Sequence, residues 1–154
     1  MGLLVAAGAQ TIVAPPVGDI GKTPGVIALG AAAQAEGTSL TNTYNFWLEN
    51  DLSNVAGAYI LNTIALLNAV EANPLNYGFT DLTDACYAGP YTGGGTVCAN
   101  PNAYLFWDTV HPSAAADAFI ADAATALLAP APPLGAGLSS LGLLLLIGLK
   151  GKRG

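Results

Sequence analysis

The feature that most constrains the fold is the alternation of short strand patterns with helical patterns along the first half of the chain. "TIVAPP", residues 11–16, is a β-branched run bounded by prolines, which indicates a short buried strand. "VAGAYIL", residues 55–61, predicts a second strand. Strand, helix, strand, helix is typical of an α/β domain with a parallel sheet. Because a doubly wound sheet usually has more than two strands, we expect part of such a domain.

Helical patterns fill most of the remaining chain. Residues 3–9 predict the end of a helix closed by Gly8, and Ser113 is expected to cap a helix that runs to about Leu128. The stretch from Asn73 to Ala103 is expected to be mostly loop. Three further helices are predicted: Val26 to Ala35 ended by Gly37, residues 38–52 capped by Thr38 or Ser39, and residues 63–74 stopped near Pro74.

Charge is sparse and unevenly distributed. Only 9% of residues are charged, against roughly 25% in an average globular chain. Residues 1–149 contain all ten acidic residues but only one base, Lys22, and therefore carry a net charge of −9. Nucleic-acid binding needs clustered Lys and Arg, so this composition excludes it. The balance suits an exported protein or an uncharged substrate.

The chain has two cysteines, Cys86 and Cys98, in "CYAGPYTGGGTVC". Two cysteines and one histidine are too few for a typical zinc site, and we expect neither a metal nor another cofactor. A disulfide would close a loop of about 13 residues, contribute roughly 3 kcal/mol and require an oxidising compartment. The alternative is two unrelated thiols.

The C-terminal segment differs in composition from the rest. We divide the chain into a domain of residues 1–129, a Pro-rich linker of residues 130–133 and a hydrophobic tail of residues 134–154. The apolar run Leu134 to Leu149 is about 24 Å long as a helix, against a hydrocarbon core of about 30 Å. It predicts a membrane or sorting helix with its basic end in the cytoplasm. A core helix is the alternative.

The stretch "YLFWDTVHP" places Asp108 three residues before His111, the single histidine. In nucleophilic catalysis a histidine takes the proton of the nucleophile, and a carboxylate orients the imidazole and stabilises its charged form. The spacing allows one tight turn to deliver both groups. A surface histidine with an incidental acid is the alternative, and the lack of a second histidine disfavours a metal site.

"NPNAYLFWDTVHPS" resembles the last motif block of the SGNH, or GDSL, esterase/lipase family. "LLVAAGAQTIVAPPVGDIGKTP", "TYNFWL" and "YILNTIALLNAVEANPLNYGF" are similar to other parts of the family pattern, so the resemblance covers about Leu3 to Leu128. It implies a partial three-layer α/β/α, flavodoxin-like domain with parallel strands, followed here by the C-terminal hydrophobic helix. It also implies ester hydrolysis, with Asp108 and His111 as the acid and base of the triad.

The sequence departs from the family pattern in its catalytic blocks. It has no G-D-S block for the nucleophile and no G-x-N-D block for oxyanion donors, and Gly18 and Asn62 replace a usual Pro and Asp. The match begins after the third block, so we expect the C-terminal part of a longer secreted hydrolase, inactive alone. The alternative is a non-catalytic, surface-anchored module derived from such an enzyme.

The tail is similar to PEP-CTERM-type sorting signals, with "PAPP" in place of Pro-Glu-Pro. That resemblance implies export to the periplasm or cell surface, with the tail transiently inserted in the membrane and removed by a sorting protease. The expected partners are therefore a small-molecule or lipid ester, the membrane through the tail, and that protease; no nucleic acid is expected.

Overall fold

A computed structural model describes residues 2–129 of the chain. The linker 130–133 and the tail 134–154, with its predicted hydrophobic helix, lie outside the described residues. Among the helices of residues 2–129, none is both long and apolar enough to cross a membrane. The described part contains five α-helices, six strands and three 3-10 turns. In chain order these are α1 Gly2–Ala6, β1 Ile12–Ala14, the turn Ile20–Lys22, α2 Pro24–Ile27, α3 Ala31–Leu52, β2 Ala58–Ile60, α4 Thr63–Ala72, the turn Pro74–Tyr77, β3 Asp81–Ala85, β4 Tyr87–Ala88, β5 Thr96–Val97, the turn Pro101–Ala103, β6 Tyr104–Phe106 and α5 Ala114–Leu128.

The predicted α/β class with parallel strands is confirmed. β1 and β2, both predicted, pair in parallel with Ile12 opposite Ala58 and Ala14 opposite Ile60. The connection between them contains α2 and α3, as a parallel crossover requires. A second parallel pair joins β3 to β6, and an antiparallel pair joins β4 to β5. The described residues thus form three two-stranded sheets.

The segment from Asn73 to Ala103, predicted to be mostly loop, is mostly turn and irregular chain, but it also contains three short strands that the sequence did not predict, β3, β4 and β5. β3 carries Asp81 and Asp84, residue types that are depleted in strands. Its register also shifts between Asp81 and Ala85. Without regular alternation of apolar and polar residues, these strands are specified by their partners and not by local sequence.

The prediction of one continuous helix from Val26 to Ala35 is wrong, because the structure divides these residues between α2 and α3. The chain breaks at Gly30, whose φ of +93° favours glycine, and α3 then runs without interruption through Gly37. Gly37 is buried and packs so closely on Gly21 that a Cβ at residue 37 would lie 2.9 Å from the Cα of Gly21. Thr38, predicted as a cap, instead donates its hydroxyl to Asp19 at 2.9 Å. Gly37 is therefore a close-packing position and not a helix end.

Three of the four buried residues of α3, Gly37, Thr41 and Asn45, are small or polar, and the fourth is Leu52. The side chain of Asn45 accepts the backbone N–H of Val17 at 2.9 Å and donates to the Val17 carbonyl at 2.8 Å. Thr41 accepts the N–H of Ile20 at 3.1 Å. These side chains satisfy backbone groups of the loop after β1, which has no strand partner there. Leu40 and Trp47 lie on the exposed side of the same helix.

The apolar core lies where α4, β6 and α5 meet. Val70, Phe79, Leu105 and Ala116 form its buried cluster. The predicted helices α4 and α5 are confirmed, and their starts are capped by the side chains of Asn62 and Ser113 respectively.

Candidate active site

Asp108 and His111 lie in the short turn between β6 and α5. The backbone N–H of Trp107 donates to the carbonyl of His111 at 2.8 Å, which closes the turn. The N–H of Ser113 donates to the carbonyl of Leu105 at 2.9 Å. A core strand and a capped helix therefore hold the turn at both ends.

The Asp108 carboxylate organises this turn from inside. Asp108 is only 5% exposed. Its Oδ1 accepts the backbone N–H groups of Val110 and His111, each at 2.8 Å. An aspartate that binds its own backbone two and three residues ahead is a standard way to stabilise a turn.

The same carboxylate binds the imidazole. Nδ1 of His111 lies 2.9 Å from Oδ2 and 3.1 Å from Oδ1 of Asp108. When the carboxylate is ionised, Nδ1 is the donor in this bond, and a neutral ring then carries its lone pair on Nε2. The His111 side chain is 64% exposed. The arrangement thus presents an oriented imidazole at the surface, supported by a buried acid.

Two opposing effects set the pKa of Asp108. Burial raises the pKa, because it disfavours the charged form. The backbone N–H groups of His111 and Val110, together with the His111 ring, lower it more. The net pKa lies below the ordinary value for an aspartate, so this carboxylate is ionised at neutral pH.

A second element supports the turn from outside. The N–H of Gly25, in α2, donates to the carbonyl of Thr109 at 2.9 Å. A Cβ at Gly25 would lie 3.0 Å from that same oxygen, tighter than most side chains tolerate. Glycine therefore allows α2 to approach the residue between Asp108 and His111.

The predicted disulfide between Cys86 and Cys98 is present, with a Cα–Cα distance of 4.8 Å. It closes the hairpin of β4 and β5, which contacts the turn. The Tyr87 ring stacks on Trp107 with ring centroids 5.6 Å apart, and the Tyr91 ring meets His111 edge-on at 6.2 Å. Sequence reasoning proposed the disulfide but missed these two aromatic contacts, for which the spacing gives no signal.

An apolar cavity of about 330 Å³ lies next to the turn. Its wall includes Val110 and Pro112, which flank His111, and Leu105 and Phe119 of the core. The loop after β1, residues 15–20, forms another part of the wall. Sequence reasoning missed this cavity, because its wall combines segments far apart in the chain.

Two of the three serines of the described residues, Ser53 and Ser113, have structural side-chain partners. Ser113, immediately after the turn, is 1% exposed and accepts the N–H of Ala116 at 3.2 Å. Ser53 donates to the carbonyl of Asn50 at 2.8 Å. Within residues 2–129, no serine hydroxyl is hydrogen-bonded to His111. Over that same range, no three His, Cys, Asp or Glu side chains cluster as metal ligands.

Asn62 stands where the family pattern commonly has Asp. Its side-chain oxygen accepts the N–H of Ala65 at 2.9 Å and so caps α4. An aspartate would make the same bond, so the exchange preserves this local role.

Comparisons with known proteins identify the family of this chain. The family model of GDSL-like lipase/acylhydrolase matches residues 2–124. A GDSL esterase/lipase of Arabidopsis thaliana is 31% identical over 132 residues, which cover 74% of this chain and 36% of that protein. GDSL esterase/lipase 6 of the same plant is 33% identical over 89 residues, or 48% of this chain and 24% of that protein.

Esterase EstA of Pseudomonas aeruginosa is 34% identical over 121 residues, which cover 71% of this chain and 18% of that protein. The chain therefore spans 36% or less of the length of these three relatives. Because the family model covers nearly all of the described residues, the chain belongs to the GDSL-like lipase/acylhydrolase family.

Proposed function

We propose that this chain supplies the Asp and His of the catalytic triad in a serine ester hydrolase. The observation that carries the proposal is the 2.9 Å contact between Oδ2 of a buried Asp108 and Nδ1 of an exposed His111. A triad needs this arrangement, with an acid shielded from water and a base whose second nitrogen is accessible. Membership of the family supports the same reaction class.

In the proposed mechanism Nε2 of His111 takes the proton of a serine hydroxyl as that oxygen attacks the ester carbonyl. The imidazolium then gives the proton to the leaving alcohol, and water repeats the sequence on the acyl-enzyme. Asp108 holds the tautomer that leaves Nε2 unprotonated and stabilises the imidazolium when it forms.

The nucleophile is proposed to come from a segment that this sequence does not contain. None of the chain's serines lies in a G-D-S block. Ser113, which lies nearest to His111 in sequence, is buried as a helix cap. The chain alone is therefore proposed to be inactive, and lacking oxyanion donors costs a further factor of about 10²–10³ per donor.

The proposed substrate is a small-molecule or lipid ester without charge. The wall of the 330 Å³ cavity is mainly aliphatic and aromatic, and it adjoins His111 through Val110 and Pro112. Cavities of about 300 Å³ and larger are the usual size for small ligands. The excess of acidic residues also disfavours an anionic substrate.

Export is proposed on two grounds. The disulfide between Cys86 and Cys98 requires an oxidising compartment. The sequence of residues 130–154 has the prolines, apolar run and basic end of a sorting signal. A sorting protease is accordingly a proposed partner, together with the membrane into which the tail inserts transiently.

The test compares the longest translation product that carries this segment with the 154-residue chain. Both are treated with a serine-directed fluorophosphonate probe and with p-nitrophenyl butyrate. We expect labelling and hydrolysis by the longer product only. His111→Ala in that product should abolish both, whereas the exposed control Asp122→Asn should leave them unchanged.

The outcomes separate the two candidate functions. Hydrolysis that survives His111→Ala would show that the base is another residue. A longest product that neither reacts with the probe nor hydrolyses the ester, although folded, would support the non-catalytic anchored module instead. Fractionation of the producing cells would test export, which a purely cytoplasmic product would contradict.

A further inference from the structure

We propose that Tyr91 is a positioning residue for His111, and that the disulfide-closed hairpin of β4 and β5 holds it in place. The proposal rests on the proposed function only in taking His111 as the catalytic base. The contact itself is independent of any reaction.

The bond to Asp108 leaves one movement of the imidazole open. It fixes the Nδ1 edge of the ring, but the side chain as a whole is 64% exposed. A ring held at one edge can still tilt about that bond. The ring of Tyr91 limits this tilt, with centroids 6.2 Å apart and planes at 85° to each other. This edge-to-face geometry is a favoured arrangement of aromatic pairs.

Tyr91 depends on its hairpin for this position. It is itself 74% exposed, so burial does not hold it. The hydroxyl of Tyr87 donates to the carbonyl of Pro90, the residue directly before Tyr91, at 2.6 Å. Tyr87 pairs with Val97 across the hairpin, beside the disulfide. The disulfide at Cys86 therefore lies one residue from Tyr87, whose side chain anchors the loop.

The hairpin is close-packed where the loop begins. A Cβ at Gly89 would lie 2.3 Å from the Cα of Gly95, so only glycine fits there. Opening the strands at this point would move the loop of Tyr91 away from the turn.

The same hairpin also binds the residue before Asp108. The N–H of Tyr87 donates to the carbonyl of Trp107 at 2.6 Å, and the two rings stack with planes 7° apart. The hairpin thus contacts the turn on both sides of the catalytic pair, through Trp107 and through His111. It follows that reduction of Cys86 and Cys98 should loosen the imidazole without removing Asp108.

The experiment uses the single histidine of the chain, whose ring gives one set of NMR signals. We expect a nuclear Overhauser effect between the Tyr91 and His111 rings in the oxidised 154-residue chain. In Tyr91→Phe, which keeps an aromatic ring at residue 91, the effect between that ring and His111 should persist. It should vanish in Tyr91→Leu and on reduction with a phosphine, with a change in the His111 ring shifts. Tyr44→Leu, which removes another exposed tyrosine, should leave those shifts unchanged.

Core signals of Phe79 serve as the folding control, because that ring lies outside the contact. If reduction removes the native Phe79 signals, the chain has unfolded, and the comparison of Tyr91→Leu with Tyr91→Phe in the oxidised chain tests the proposal instead. Identical His111 shifts in the wild type and in Tyr91→Leu would overturn it. An Overhauser effect that survives reduction in a folded chain would overturn the role of the disulfide.

In an active hydrolase that carries this segment, Tyr91→Leu should lower kcat about 2- to 10-fold, the rate equivalent of one aromatic pair. KM should change less, and Tyr91→Phe should restore kcat. An unchanged kcat would overturn the positioning role. Failure of the hydrolase assay as a whole would instead count against the proposed function, while the NMR contact would stand.

Discussion

One carboxylate, that of Asp108, both shapes the turn and orients the imidazole of His111. Oδ1 accepts two backbone N–H groups at 2.8 Å, and Oδ2 binds Nδ1 of the ring at 2.9 Å. Oδ1 alone holds the turn, whereas the shorter of the two contacts to the ring is made by Oδ2, with Oδ1 at 3.1 Å. Substitutions that keep one oxygen and change the other can therefore separate turn stability from the orientation of the base.

Asp108→Ala should lower the free energy of unfolding by about 1–3 kcal/mol, because it leaves two inward-facing N–H groups without their acceptor. Asp108→Asn should cost less, since an amide oxygen can still accept those bonds. Its NH₂ group, however, meets Nδ1 as a donor and favours the wrong tautomer. Urea unfolding of the 154-residue chain measures the first effect, and ¹⁵N shifts of the ring measure the second.

The exposed Asp122 provides the control, and Asp122→Ala should change stability by no more than about 0.5 kcal/mol. Equal stability of Asp108→Ala and Asp122→Ala would show that the turn does not depend on the carboxylate.

The pH dependence of stability should follow the lowered pKa of Asp108. A folded-state pKa below the unfolded value of about 3.9 means that ionised Asp108 stabilises the fold at higher pH. That contribution is complete above about pH 5, begins to fall near the unfolded-state pKa and is lost as the pH falls through the folded-state pKa. The stability difference between the wild type and Asp108→Asn should therefore shrink on acidification below about pH 4. Urea midpoints measured in parallel at a series of pH values check this, and a difference that grows in acid would reverse the sign of the argument.

The sequence was informative where residue type alone determines local structure. The β-branched run of β1, the cap at Ser113 and the Asp108–His111 spacing each have a local physical cause, and the structure has the expected strand, helix and side-chain contact. The pairing of Cys86 with Cys98 was also accessible, because short loops between two lone cysteines close easily.

Prediction from the sequence failed where contacts with a distant segment determine the local structure. Gly37 has the type of a helix terminator, yet α3 passes through it because Gly21 packs against it. β3 and β6 are specified by each other and not by their own composition. The contact of Tyr91 with His111 depends on a hairpin whose closure no local pattern encodes. The catalytic roles of Asp108 and His111 and the boundaries at residues 129 and 133 stay predictions.

Ser113→Ala tests whether this serine is a cap or a nucleophile. Loss of the cap at the start of α5 should lower the free energy of unfolding by about 1 kcal/mol. Ser113→Thr should retain most of that stability, because its hydroxyl can accept the same N–H. Neither change should affect fluorophosphonate labelling of an active longer product. Loss of labelling in folded Ser113→Ala would make Ser113 the nucleophile and refute its role as a cap alone.

Gly37→Ala should destabilise the chain although alanine is the better helix former. Helix propensity alone would predict a gain of about 0.5–1 kcal/mol. A Cβ at residue 37, however, would lie 2.9 Å from both the N and the Cα of Gly21, backbone atoms that cannot rotate away. The loop after β1 must then move, and overpacking of this kind costs about 1–3 kcal/mol. Thermal or urea unfolding gives the sign directly.

The matched control is Ala35→Gly, at an exposed position two residues earlier in the same helix. Its loss should be about 1 kcal/mol, from propensity alone. Opposite exchanges of glycine and alanine in one helix should therefore both destabilise, a result that propensity by itself forbids. If Gly37→Ala were instead more stable than the wild type, the close approach of α3 to Gly21 would be wrong, and with it the hydroxyl contact from Thr38 to Asp19 that the approach permits.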